Sequence, residues 1–414
     1  MAPGAGRSAG ACASGIVGPH RSGPPLAFGT VVMHLAKDVE AVEFGGRLLL
    51  VGQERQMLLI LNETARIVWE AMRAGVSADA AAAELSQSYG LPLARTRTDV
   101  AALLRQVRAH ELLAGSDRRH ASGHRRAGPG MASCACVRRE FGVQRVYTPC
   151  GTPFRLGVEP PDLRFWLDQL LAHTATPGTA PRDVVELFQE GTVHVVTHDG
   201  RERQRAASVE AAAGAVVRAI CDLSYPDADW SLFMHAAAVA RGDRAIVLAG
   251  PKGSGKTTLA AALITSGLDY FSDDVVPLDG RTMQVLPLPF ALSVKEGSWP
   301  TLSGLYPALD SLPVCEADGQ KLRFLPPPRP ASGRGGALVR ALVFPRFRPE
   351  QRFRLDRLAP VDALVKLVAA SRPLALDRPR LQRTLAWIHA VPAYDLSYTH
   401  LAEATAVIRE MFDG

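Results

Sequence analysis

The sequence predicts two folded pieces, a small α+β winged-helix domain followed by a larger α/β domain of the P-loop type. Three observations carry this. The octet from Gly250 to Thr257 fits G-x-x-x-x-G-K-[ST], with an apolar run before it and an Ala/Leu-rich helical stretch after it. Far upstream, apolar runs precede three helical stretches, the first two with their own cap residues. Between the two patterns the chain is Arg/Gly/Ser-rich and aperiodic. The organisation expected is a disordered lead-in over 1–29, the small domain over 30–115, a flexible linker over 116–140 and the P-loop domain over 141–414.

Composition narrows the class. Mean hydropathy is near zero, and no 18-residue apolar run exists, so no membrane-spanning helix and no membrane partner are expected. The first 25 residues have neither a charged start nor an apolar core, unlike a signal peptide. Net charge is +6, carried by only six lysines against 41 arginines, a usage that codon bias explains. No stretch combines a basic helical stripe with interleaved aromatics, so no nucleic-acid partner is expected. The cysteines at 12, 134, 136, 150, 221 and 315 are scattered; Cys134-Ala-Cys136 lacks a second ligand pair, and a reducing cytoplasm is expected.

In the first domain, Val42–Val51 and Gln56–Leu61 read as paired strands joined by a polar turn over 52–55. Asn62 caps a helix over Glu63–Ala74, whose apolar side holds Ala65, Val68, Trp69 and Met72, and Gly75 stops it. Ser77 caps a second helix over Ala78–Tyr89, and a third is expected over Thr98–His110. The segments Leu59-Ile-Leu-Asn-Glu-Thr-Ala65, Trp69, Gly75, Ser77 and Asp99–Leu113 resemble the PqqD-like peptide-recognition domains, or RiPP recognition elements. That resemblance implies that an extended leader of a precursor peptide adds to the strand edge near Leu59 and Leu61. Arg105 and Arg108 of the third helix would then meet acidic leader residues. A winged helix that reads DNA, or one that only packs on a neighbour, is the alternative.

Past the linker, strands are expected at Phe154–Val158, Val193–Val196 and His198–Arg201, with helices over Asp162–Ala172 and Val209–Leu223. His194 and His198 alternate along a strand without Cys or carboxylate partners, so no metal role is expected of them. Then comes the phosphate loop. Gly250, Pro251, Lys252, Gly253, Ser254 and Gly255 form the turn, and Lys256, Thr257 and Thr258 open the helix. A glycine turn at a helix N-terminus aims free N–H groups and the positive dipole end at a polyphosphate. Lys256 is expected on the β/γ phosphates and the Thr257 hydroxyl on Mg²⁺, which makes ATP the expected ligand.

His235 lies 21 residues before Lys256, and the pair Asp273-Asp274 ends the next short strand, with Asp274 18 residues after Lys256. Paired carboxylates this close to the loop suit one group that organises a metal and one that takes a proton from a hydroxyl. These residues at these spacings resemble the HPr serine kinase/phosphorylase family, whose P-loop α/β fold is related to the phosphoenolpyruvate carboxykinases. The resemblance implies transfer of the ATP γ-phosphoryl group to a serine or similar hydroxyl. It makes Asp274 the proton acceptor, Thr257 and Asp273 the Mg²⁺ ligands, and His235 and Lys256 catalytic partners; which aspartate is the base stays open.

Further along, Lys295 and Glu296 end a strand, and Asp318, Lys321 and Arg323 precede a Pro-rich turn; these are the candidate contacts to substrate or phosphate. The Glu-Ile-Arg-Gly-type segment of HPr kinases is absent, which leaves phosphorylase activity and HPr itself as substrate open. A closing strand is expected over 390–398, then a helix to Met411. The two resemblances together imply a cytoplasmic kinase of a leader-containing precursor peptide, with a homo-oligomer as an open partner. The alternatives are a kinase of a small molecule or carrier protein, and a peptide-binding chaperone with a regulatory nucleotide site.

Overall fold

The computed structural model describes residues 36–53, 57–109, 112, 141, 144–317, 319–331, 333, 335–371 and 377–413. The lead-in, the linker with Cys134 and Cys136, and Asp318 lie outside them. Among the described residues no helix is long and apolar enough to cross a membrane. Two compact units result, the first of residues 1–126 with 376–378 and the second of 127–375 and 379–414.

The first unit is an antiparallel sheet of β1 (Val39–Phe44), β2 (Arg47–Gly52) and β3 (Met57–Leu61), followed by α1 (Glu63–Arg73), α2 (Ala78–Tyr89) and α3 (Leu93–Ala109). What reads in sequence as one strand over Val42–Val51 is a hairpin. Gly45 and Gly46 sit at φ 57° and 78°, and Phe44 pairs with Arg47 across them. A two-residue turn with both φ values positive matches strand twist, and glycine adopts it without strain. α1 and α2 start where their caps predict, with the Asn62 and Ser77 side chains accepting from the N–H groups of Ala65 and Ala80. α3 starts five residues before the expected Thr98, because its first turn is mostly exposed and carries no apolar period. Trp69, fully buried, anchors the core between sheet and helices; truncating such a side chain costs about 3–5 kcal/mol.

The second unit begins with a five-stranded sheet in the order β4-β5-β6-β7-β8, namely Arg145–Tyr147, Phe154–Val158, Asp183–Glu190, Val193–His198 and Arg201–Ala206. Only β5 and β6 run parallel, and α4 (Pro161–Leu171) lies on the crossover between them; α5 (Val209–Ser224) follows β8. The strand expected over His198–Arg201 is the turn between β7 and β8, with Asp199 and Gly200 at positive φ. That turn and β6 give His198 the carboxylates that sequence spacing hid, Asp183 at 3.1 Å and Asp199 at 3.5 Å, while Arg203 donates to its other ring nitrogen.

A large mixed sheet follows. Its first strands are β9 (Trp230–Met234), β10 (Ala236–Arg241), β11 (Arg244–Ala249), β12 (Asp269–Ser272), β13 (Val276–Asp279) and β14 (Gln284–Val285). A separate three-stranded sheet, ordered β15-β17-β16, comprises β15 (Leu292–Lys295), β16 (Cys315–Ala317) and β17 (Gln320–Leu325). β18 (Ala337–Phe347), β19 (Arg354–Arg357) and β20 (Ala393–Tyr398) complete the large sheet, ordered β12-β10-β11-β18-β14-β13-β9, with β20 also on β18. α6 (Lys256–Thr265), α7 (Trp299–Ser303), α8 (Pro360–Ala369), α9 (Arg378–Ala390) and α10 (Leu401–Asp413) complete the unit. β11, β18 and β20 run parallel. β11 is apolar at every position from Ala245 to Ala249 because both of its faces are covered. α6 is likewise buried along Leu259–Ile264, in one core with Leu292 and Val294 of β15 and Ile408 of α10.

Candidate functional site

The chemistry collects where β11 ends. His235 precedes β10, whose Ala236 pairs with Ala249, the last residue of β11. Asp273 follows β12, whose Ser272 pairs with Ala238 of β10. Three strand ends thus place His235, the phosphate loop and the aspartate pair on one edge of the sheet. A cleft of about 1200 Å³ opens there.

The loop has the geometry its glycines predict. Gly250, Gly253 and Gly255 have φ of 151°, 84° and 96°, in the region where a side chain is strained. Gly255 is doubly constrained, since a Cβ on it would lie 2.7 Å from the Tyr398 hydroxyl. It caps α6 without any side-chain hydrogen bond, so the first-turn amides have no capping group. The Lys256 ammonium, 5% exposed, donates to the carbonyls of Gly250 (2.8 Å) and Pro251 (3.0 Å). Burial lowers its pKa.

The two aspartates differ. Asp273 is buried, receives both its oxygens' hydrogen bonds from the Thr257 hydroxyl (3.1 and 3.0 Å), and accepts the Ser293 N–H at 3.2 Å. Burial, and then the charge of Asp274, push its pKa up to about 7. Asp274 lines the cleft with its side chain 44% exposed, at a φ of 64° that is uncommon for a non-glycine residue. Its carbonyl accepts from His235 Nδ1 at 3.1 Å, so that nitrogen carries the proton. Nε2 is left to face the Lys256 ammonium at 3.4 Å. Burial and that ammonium lower the histidine's pKa, which favours the neutral ring.

Of the other expected contacts, Lys252, Thr258, Lys295, Glu296 and Lys321 line the cleft. Gly250, Pro251 and Ser254 are not on the cleft wall; the carbonyls of the first two accept from Lys256. Arg323 is not on the cleft wall. Its side chain is held by Asp310 at 3.0 Å and over the Trp299 ring at 4.2 Å, because its β17 position pairs with inward-facing Val294. Four of the six lysines therefore line this one cleft (252, 256, 295 and 321) in a chain that otherwise uses arginine. Sequence reasoning missed the opposite wall: Phe347 at the end of β18, and Tyr398, Thr399 and His400 at the end of β20. The usable signal was that ligands sit at the carboxyl ends of parallel strands.

In the first unit, β3 is an edge strand of its sheet. Leu59 and Leu61 are only 3% and 1% exposed and belong to the core, so their side chains are not on a peptide-facing surface. Alternation along β3 puts Leu58 and Ile60 on the other face, both half-buried. Arg105 and Arg108 are exposed on α3.

Residues 47–113 match the family described as coenzyme PQQ synthesis protein D (PqqD), so a PqqD-like domain lies there. The chain is also similar to a solved structure of the Hpr(Ser) kinase/phosphatase from Coxiella burnetii, at 11% identity. That likeness covers 43% of this chain and 88% of the other, with a TM-score of 0.22, too low to carry an argument about fold or function. No curated protein matches the chain.

Proposed function

We propose that this chain is an ATP-dependent kinase that phosphorylates a serine, or another hydroxyl, of a ribosomally made precursor peptide held by its leader in the first unit. The observation that carries the catalytic half is the division of the aspartate pair at the mouth of the loop. Asp273 is buried against the Thr257 hydroxyl, whereas Asp274 faces the cleft beside a neutral histidine. The PqqD-like domain supports the peptide half.

The residues present fit Mg²⁺. A hydroxyl and a carboxylate on one spot are the hard oxygen donors this ion takes, and Asp273 is a buried acid short of positive charge. Thr257 and Asp273 would hold the ion, which when bound neutralises charge on the β- and γ-phosphate oxygens. The chain's own residues do the rest. The amides of the loop and the Lys256 ammonium receive the phosphates, and binding requires that ammonium to leave the Gly250 and Pro251 carbonyls. Asp274 accepts the proton as the acceptor oxygen bonds to the γ-phosphorus and the bond to the ADP oxygen breaks. His235 holds the Asp274 backbone in its left-handed conformation and so aims that carboxylate. Lys295, on the cleft wall, adds positive charge near the transferring group.

Incubation with Mg²⁺, ATP and precursor peptides encoded beside the gene, read by intact-peptide mass spectrometry, tests this. A phosphate adduct is expected on the full precursor and much less on the same peptide without its leader. Asp274→Asn should lower the rate by about two to four orders of magnitude. No adduct on any leader-containing peptide that binds the chain would sink the peptide-kinase reading. Unchanged turnover in Asp274→Asn would remove Asp274 as the base.

A further inference from the structure

The order of strands divides the cleft. On one side of β11 stand β10 and β12, and at their ends are His235, Asp273 and Asp274. On its other side stand β18 and β20, and at their ends are Phe347 and Tyr398, which pair across the two strands. Apart from Lys295 at the end of β15, every titratable group of the proposed phosphoryl transfer lies on the first side or on the loop itself. The second side is aromatic, and nothing in the proposed chemistry uses it.

Its geometry is built rather than incidental. Phe347 is 50% exposed, one of the most exposed large apolar side chains among the described residues, yet its backbone is tied to the loop. Its N–H donates to the Ser254 carbonyl at 3.2 Å, and its Cβ lies 3.5 Å from where a Cβ on Gly255 would be. The Tyr398 ring supports it edge-on, with centroids 5.8 Å apart and planes at 63°. Below that ring the wall is locked. The Arg348 N–H donates to the Tyr398 carbonyl, and the Thr399 hydroxyl reaches the carbonyls of Arg348 and Gln351, each at 2.7 Å. An apolar ring held rigidly at the mouth of a polar cleft is half in water until a flat apolar surface covers it.

We propose that this half of the cleft is the base subsite of the nucleotide, with Phe347 as the platform on which the purine ring stacks. The inference rests on the nucleotide reading above and adds its direction. The triphosphate runs from the β18/β20 side, across the start of α6, to the aspartates on the β10/β12 side. The acceptor then enters past Lys295 and the β15-β17-β16 sheet. Stacking on an aromatic side chain reads the π-face, which suits a purine without fixing which purine.

Isothermal titration of the full chain with Mg²⁺-ATP and with Mg²⁺-tripolyphosphate separates the two halves of the site. The wild type is expected to bind ATP more tightly than tripolyphosphate. Phe347→Ala should weaken ATP by about tenfold to a hundredfold while leaving tripolyphosphate within about twofold. Phe347→Trp, which keeps a stacking face, should retain the ATP affinity. Tripolyphosphate binding also reports that each variant is folded around its loop. ATP binding no tighter than tripolyphosphate in the wild type would overturn the base subsite and leave the phosphate site standing. So would equal losses for both ligands in Phe347→Ala, or no loss for either. Failure of the wild type to bind either ligand would overturn the nucleotide reading and this inference together.

Discussion

Two helices of this molecule begin in opposite ways. α2 opens on Ser77, whose hydroxyl accepts from the Ala80 N–H at 3.2 Å, and it closes on Gly90 in the left-handed conformation. Its termini are satisfied locally, by the Ser77 hydroxyl and by the Gly90 N–H donating to the Ser86 carbonyl. α6 opens on Gly255, also left-handed, with no side chain to cap it. Its first turn borders the cleft through Lys256, Thr257 and Thr258. Under the proposed function, the side-chain cap of α2 serves the fold, whereas the start of α6 beneath two glycine turns is left for phosphate.

The sharpest way to break that comparison is to give α6 a side chain at its cap. Gly255→Ala places a Cβ 2.7 Å from the Tyr398 hydroxyl, on a residue whose φ of 96° already disfavours one. ATP affinity should fall by more than about tenfold, as strain of about 1–3 kcal/mol is relieved by moving the loop. Titration calorimetry checks it, and unaltered affinity would show that the loop's shape is not what binds phosphate.

A smaller effect tests whether the site stores destabilising charge. Asp273, ordinarily near 3.8, is raised to about 7 by burial and by Asp274. Between those values the folded chain holds a proton that the unfolded chain releases, so stability falls as pH rises through the window. Asp273→Asn should therefore melt higher than the parent at pH above about 7 without divalent ions, by about 2 °C or more. The gap should close as pH falls below 3.8, where both states of the parent become protonated. Thermal melts across pH decide this; a variant that melts lower throughout would mean the carboxylate supports the fold.

The smallest change belongs to the capped helix. Ser77→Ala should cost about 1 kcal/mol of first-unit stability, read as a lower urea midpoint, with no change in ATP affinity. A shift in nucleotide binding would count against treating α2 as structural.

Much of this was legible in the residues. The caps Asn62 and Ser77, the stop at Gly75 and the loop from Gly250 to Thr257 all act locally, within a turn or a few hydrogen bonds, so sequence spacing reports them. The hairpin at Gly45-Gly46 was equally local and was passed over because apolar residues continue on both sides of it. Lys256, Thr257, Asp273, Asp274 and His235 were readable as types and spacings. Their division of labour was not. Asp273 and Asp274 are adjacent in sequence, and only packing buries one carboxylate against Thr257 while leaving the other in the cleft.

By itself, then, the sequence determined the glycine turns of the loop over 250–257, the ordering of strand and helix around it, and the helix caps of the first unit. Each follows from the conformational preferences of a few neighbouring residues. Tertiary structure alone decided that Leu59 and Leu61 face inward and that Arg323 turns to Asp310. It alone brought Phe347 and Tyr398, 51 positions apart in sequence on β18 and β20, beside Gly255. Those outcomes depend on which face of a strand is covered and which strands become neighbours. Long-range burial sets both, and no local pattern encodes it.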